Sequence, residues 1–246
     1  MTASVNNQIV VSIPMSLNSR RAIAAALLER YGTDYLFMGR IFRETASNTS
    51  CQIEIYPTSK NTLDTSKFQK IAKSHNSITA IEDTNCDRQV VCLISADLGY
   101  QSCLKIAKFT EVFLRIGGLG VNLESAEIAH AASTWLANCN SEDPFEIYSL
   151  YVGLVEGENN YYSCGMHNFG KADVSVDFIE DVGLAIYVMN VFNYYRLTES
   201  PILLDGHTFQ PDIESPRYQI KLVEDREYER GSWQHNSFGR WHLTRR

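Results

Sequence analysis

The chain has 246 residues, a hydrophobic fraction of 44% and a formal net charge of −7. That length allows one large domain or two small ones, with a core that needs no metal or disulfide to fold. The acidic balance argues against a general nucleic-acid binder, which carries a basic face, and suits a basic protein partner.

The opening MTASVNNQIVVSIPM has no Lys or Arg before its short apolar run, so it reads as a strand and not a signal peptide. No stretch reaches the roughly 18 apolar residues of a membrane helix. Six cysteines (Cys51, Cys86, Cys92, Cys103, Cys139 and Cys164) are scattered without a CxxC pair. They read as reduced thiols of a cytoplasmic protein, with no cofactor or metal expected.

Gln8 to Pro14 is a β-rich run, and Ser16 is placed to cap a helix carrying Leu17, Ile23, Leu27 and Tyr31 up to Gly32. Tyr35 to Glu44 and Ser50 to Pro57 read as two strands around the polar ASNTS. A short helix with Phe68, Ile71, Ala72 and His75 and a strand from Ser77 to Glu82 complete a β-α-β-β-α-β order, the ferredoxin-like arrangement.

Gln89 to Ala96 is almost continuously apolar, as a strand buried on both faces would be. A helix with Ile106, Phe109, Phe113 and Ile116 on one stripe stops at Gly117 and Gly118. A short strand (Leu119 to Leu123) precedes a second helix, capped by Ser125 and carrying Ile128, Ala132, Trp135, Leu136 and Cys139. Phe145 to Glu156 and the segment from Tyr161 read as a hairpin around GENN. A long helix follows from about Ile179 to Leu197, with Val182, Ala185, Ile186, Met189 and Phe192 facing inward, then strands at Ile202 to Leu204 and Tyr218 to Val223.

The expected class is α+β, with mixed, mostly antiparallel sheets and helices on one face. The pattern suits two ferredoxin-like halves, residues 1–87 and 88–223, or one continuous sheet. Residues 224–246 form a basic, aromatic tail without clear periodicity, read as a surface arm packed by Trp233 and Trp241 or as a binding arm.

Candidate chemistry clusters between Tyr161 and Asp212. Cys164 and His167 form C-x-x-H, a zinc half-site or a nucleophile and its base, but no second pair completes four zinc ligands. Residues three apart on a strand face opposite ways, so only a bend at Gly165 would join them. Asp205 and His207 flank Gly206 in what is first a turn signal. Glu127 and His130 share a helix face in the expected layout. GGLG at Gly117 to Gly120 lies after a helix, where a phosphate cradle would lie before one.

The segments GGLGVNLESAEIAHAASTWL, SCGMHNFGKADVSV and LLDGHTF together resemble a bacterial family catalogued as a domain of unknown function. Its pattern is a Gly-x-x-x-Phe-Gly segment followed by an acid, a helix and a DGDT-like turn. Gly165, Phe169, Gly170, Asp173, Asp205, Gly206 and Thr208 match, and His207 replaces an acid. The resemblance covers about the second half of the chain and implies kinship with proteins encoded near secreted toxins. It implies an immunity role and carries no catalytic residues. The expectation is therefore a cytoplasmic protein-binding module that neutralises a toxin by occluding its active site. Its partner-binding candidates are His167, Asn168, Lys171, Asp205, His207, Trp233 and Trp241. The alternatives are a hydrolase using Cys164 and His167 near Asp205 and His207, or a regulatory module that self-associates through a sheet edge.

Overall fold

A computed structural model describes residues 7–57, 89–126, 128–178 and 181–246. The expected helix at Phe68 to His75, the strand at Ser77 to Glu82, Cys86 and Glu127 lie outside the described residues. The architecture is α+β, with two mostly antiparallel sheets.

The first sheet contains β1 (Ile9–Pro14), β2 (Tyr35–Met38), β3 (Ile41–Glu44), β4 (Ser50–Pro57), β5 (Gln89–Ser95), β6 (Gly120–Leu123) and β7 (Ile128–Ala131). Their order is β2-β3-β4-β5-β1-β6-β7, antiparallel throughout. Every residue of β1 is buried between β5 and β6. Burying Ile9, Val10, Val11 and Ile13 is worth about 2 kcal/mol each. This sheet draws on both sides of residue 88, since β4 pairs directly with β5.

α1 (Arg20–Tyr31) is capped by Ser19, whose hydroxyl accepts from the Ala22 amide, so the helix starts later than Ser16 would set it. The expected strand from Tyr35 to Glu44 is a hairpin, β2 to β3, turning at Gly39 with φ of 66°. α2 (Tyr100–Leu114) packs Ile106, Phe109 and Phe113 into the main core, and the turn after it runs through Gly117, whose φ of 112° suits a residue without Cβ.

Two assignments change type. Residues 128–131 form β7, because pairing with β6 (Val121 opposite His130) outweighs the local helical pattern. Only Ala132–Asn138 is helical there, as α3. Conversely, the β-rich run from Phe145 begins as a helix, α4 (Pro144–Tyr151). Asp143 accepts from the Phe145 amide, and Pro144 occupies the first turn, where its missing N–H costs nothing. Ile147, Tyr148, Leu150 and Tyr151 are its buried residues.

The second sheet contains β8 (Gly153–Glu156), β9 (Asn160–Cys164), β10 (Asp173–Asp177), β11 (Thr208–Phe209), β12 (Tyr218–Val223) and β13 (Arg240–Arg245), in the order β11-β12-β13-β10-β9-β8. Ile202 to Leu204 is not a strand, and Ile202 and Leu204 are exposed. α5 (Val182–Thr198) lies on this sheet, burying Ala185, Val188, Met189 and Phe192 against Val174, Val176, Ile220 and Leu243. Val182 and Ile186, expected inside, are exposed.

The C-terminal segment is the largest correction. It is not a surface arm. β13 lies inside the sheet, parallel to β10 (Asp173 opposite Arg240, Val176 opposite Leu243) and antiparallel to β12. Trp241 packs at the margin of the second core, while Trp233 is half exposed.

Termination of the chain after Val223 leaves β10 and β12 without the strand between them, and loss of cooperative unfolding of the second sheet is expected in urea titrations. Leu243→Ala removes a fully buried side chain and should cost about 3 kcal/mol in the same assay.

Candidate functional site

The segment from Tyr162 to Asp173 joins the two cores. Tyr162, Cys164, Met166 and Phe169 belong to the first core, and Val174 and Val176 to the second. Gly165 makes the bend between them, with φ of 124° and a Cβ position 2.1 Å from the Tyr151 carbonyl oxygen, so only glycine fits. A 3-10 turn (Met166–Phe169) follows, and Gly170 closes it in the left-handed region.

Around this bend sits a buried polar cluster. The Asp173 carboxylate accepts from Ser163 Oγ (2.9 Å), the Met166 amide (3.1 Å) and Asn236 Nδ2 (2.6 Å). Burial pushes its pKa up to about 6, although these donors and Arg240 pull it down. Asp225 accepts from Arg240 (2.7 Å) and from the Asn236 amide (2.9 Å). Arg240 also donates to Glu227 (3.1 Å) and stacks 4.4 Å from the Tyr162 ring centroid. Arg196, a buried residue of α5 itself, donates to the Ala172 carbonyl (2.7 Å) and to Asn193. The C-terminal segment thus contributes Asp225, Asn236 and Arg240 to a knot whose other half is the 163–173 bend.

This geometry corrects the expected contact surface. His167 and Asn168 are fully buried and cannot touch a partner. The His167 ring is enclosed beside the Trp233 backbone, Asp225 and His235. The Cys164 thiol, itself buried, points to the Gln234 carbonyl at 4.0 Å. Burial lowers His167 to a pKa of about 4, more than the Trp233 backbone and Asp225 raise it. The C-x-x-H pair therefore has no access to substrate. Asp205 and His207 are on an exposed turn, where Asp205 accepts from the Leu222 amide (2.8 Å) and Gly206 has φ of 88°. The turn reading of this motif accounts for both. His130 is also structural: its Nε2 meets the Leu150 carbonyl at 3.1 Å, and burial lowers its pKa to about 4. No group of three or more His, Cys, Asp or Glu suited to a metal occurs among the described residues.

What the sequence reading missed is an apolar face on the outside of α5. Ile186 and Tyr187 are each 42% exposed and Val182 is 50% exposed. Phe145 on α4 packs edge-on to Tyr194, closing a groove of about 440 Å³ between the two helices. A second groove of about 470 Å³ lies on the other flank, lined by Tyr195, Ile202, His207 and Phe209. Val191 lines both grooves, and the first is the more apolar of the two. The signal was present in the sequence, because α5 is apolar around most of its circumference and one sheet can cover only one side. Of the remaining candidates, Lys171 donates from Nζ to Ser200 (3.2 Å), and Trp233 keeps about half its surface in solvent.

Comparison with family models, curated proteins and solved structures gives no match for this chain. No described helix is long and apolar enough to cross a membrane.

Asp173→Ala strands three donors in the interior and should lower stability by about 3 kcal/mol in urea unfolding. Acid sensitivity follows from the histidines. His130 and His167 titrate near 4 when folded, below their ordinary 6.5. The unfolded chain then binds more protons, and each costs about 2 kcal/mol on going from pH 7 to 5. Asp173 titrates near 6 when folded, above its ordinary 3.8, and so works the other way. Its gain over that interval is about 1 kcal/mol. Two histidines outweigh one carboxylate, so a net loss of about 2–3 kcal/mol is expected by pH 5, with His130→Phe flattening the slope.

Proposed function

We propose that this chain is a protein-binding module, and specifically an immunity protein that neutralises a bacterial toxin by seating on its active cleft. The observation that carries the reading is the exposed apolar and aromatic face of α5, with Val182, Ile186 and Tyr187 in solvent beside a mostly apolar groove. Contiguous apolar surface of this kind marks interaction sites, and its Tyr and Phe side chains suit interface anchors. A helix of this length presents about 25 Å of ridge, on the scale of a standard protein interface. The net charge of −7 favours encounter with a basic toxin. The Gly165, Phe169, Gly170 and Asp205-Gly206 motif adds the proposed kinship with proteins encoded beside toxins. On this reading the protein works in the cytoplasm, against a toxin that acts inside the cell.

The hydrolase alternative has no supporting geometry, because both Cys164 and His167 are sealed from solvent. Deletion of the gene in its native host, followed by contact with wild-type siblings, tests the proposal. Survival should fall by about tenfold or more, an effect of the size expected when a tight inhibitor is lost, and be restored by the intact gene supplied in trans. Equal survival of deleted and wild-type cells would overturn the immunity role.

A further inference from the structure

Resting on the protein-binding reading, we propose that the groove between α4 and α5 seats an amphipathic helix of the partner, one whose apolar stripe is flanked by Lys and Arg. The groove is lined by Phe145, Gly183, Ile186, Tyr187, Val191 and Tyr194. The one amide among its walls, Asn190, already accepts from the Tyr148 hydroxyl at 2.9 Å through its side-chain oxygen. The α5 positions 183, 186–187, 190–191 and 194 recur every three or four residues. They form the ridge-and-groove surface that a second helix interlocks with. A strand would need unpaired backbone groups at a sheet edge, and the interior of a helix offers none.

The rim supplies the charge preference. Asp143 and Asp181 sit at the N-termini of α4 and α5, each accepting one backbone amide at 2.8 Å, from Phe145 and Gly183 respectively. Asp212 reaches the groove from the loop before β12, accepting the Tyr187 hydroxyl at 2.9 Å. The Glu214 and Ser215 amides hold its other oxygen, both at 2.8 Å. These hydrogen bonds, the Ser215 hydroxyl first, hold Asp212 below the usual carboxylate range. All three carboxylates are exposed, and no residue lining the groove is cationic. Three anions fixed by backbone contacts around an apolar floor favour a basic rim on the partner and disfavour an acidic one.

The test uses the full-length chain and labelled helical peptides of about 18 residues, long enough to hold helical structure. One carries Leu anchors at i, i+4 and i+7 with Lys flanks, and the other has the same anchors with Glu flanks. Fluorescence anisotropy should show binding of the Lys-flanked peptide, weaker at high salt, and at least about tenfold weaker binding of the Glu-flanked peptide. Ile186→Asp should weaken the Lys-flanked peptide by about tenfold or more. The combined Asp143→Asn, Asp181→Asn and Asp212→Asn variant keeps acceptors that can cap and turn the chain. It should retain its circular dichroism and lose most of the salt dependence. Equal binding of both peptides, or no change in Ile186→Asp, would overturn the proposal. So would concentration-dependent self-association that Ile186→Asp abolishes, because the groove would then belong to a second copy of the chain. A native toxin bound equally by wild type and Ile186→Asp would remove this groove and leave the protein-binding reading standing. Failure of the survival assay would remove the immunity reading and leave the groove to be judged by the peptides.

Discussion

The carboxylate of Asp173 lies in the interior with three donors around it, and the placement of the second sheet depends on that arrangement. Ser163 brings the end of β9, the Met166 amide brings the 3-10 turn, and Asn236 brings the C-terminal segment. A carboxylate this deep would be costly alone, and each donor it gains also fixes a different part of the chain. Asp225 and Arg240 extend the knot, with the Arg240 guanidinium over the Tyr162 ring. Because Arg240 begins β13, satisfying its charge also sets the register in which β13 enters beside β10. Removing one partner from such a buried network leaves the others uncompensated, which is what makes each member structurally costly to lose.

That knot explains why the most polar stretch of the chain is not an open active site. Its histidines, asparagines and acids are consumed by the junction between two cores. His167 is neutral and enclosed, and the Gly165 bend that could have aimed Cys164 and His167 at a substrate turns them into the interior. The available surface is displaced to α5, whose inner side is bound to the sheet and whose outer side is left in solvent. A helix with apolar residues on both sides must either be enclosed or present one side to something else.

Much of the fold was legible locally. β1 and β5 announce themselves as continuous apolar runs, the Gly117 stop and the Asp205-Gly206 turn follow from backbone requirements, and the Tyr161 strand and Gly165 bend are where the residues place them. The errors have particular causes. Residues 128–131 were drawn out of a helix by a neighbouring strand, and Phe145 to Tyr151 out of a strand by an Asp-Pro start signal. In both cases one strong local or pairing term overrode average propensity.

By itself the sequence determined the α+β class, the positions of turns that only glycine can make, and the acidity of the whole molecule. Those properties depend on residue type and short-range geometry, which a linear reading contains. Only the tertiary structure decided that residues 240–245 enter a sheet interior, that His167 and Asn168 are enclosed, and that Ile186 and Tyr187 face solvent. Each of these depends on pairing between residues far apart in the chain. β13 finds its place only by pairing with β10 and β12, far from it in the chain, and the exposed side of α5 could be chosen only once the sheet had taken the other.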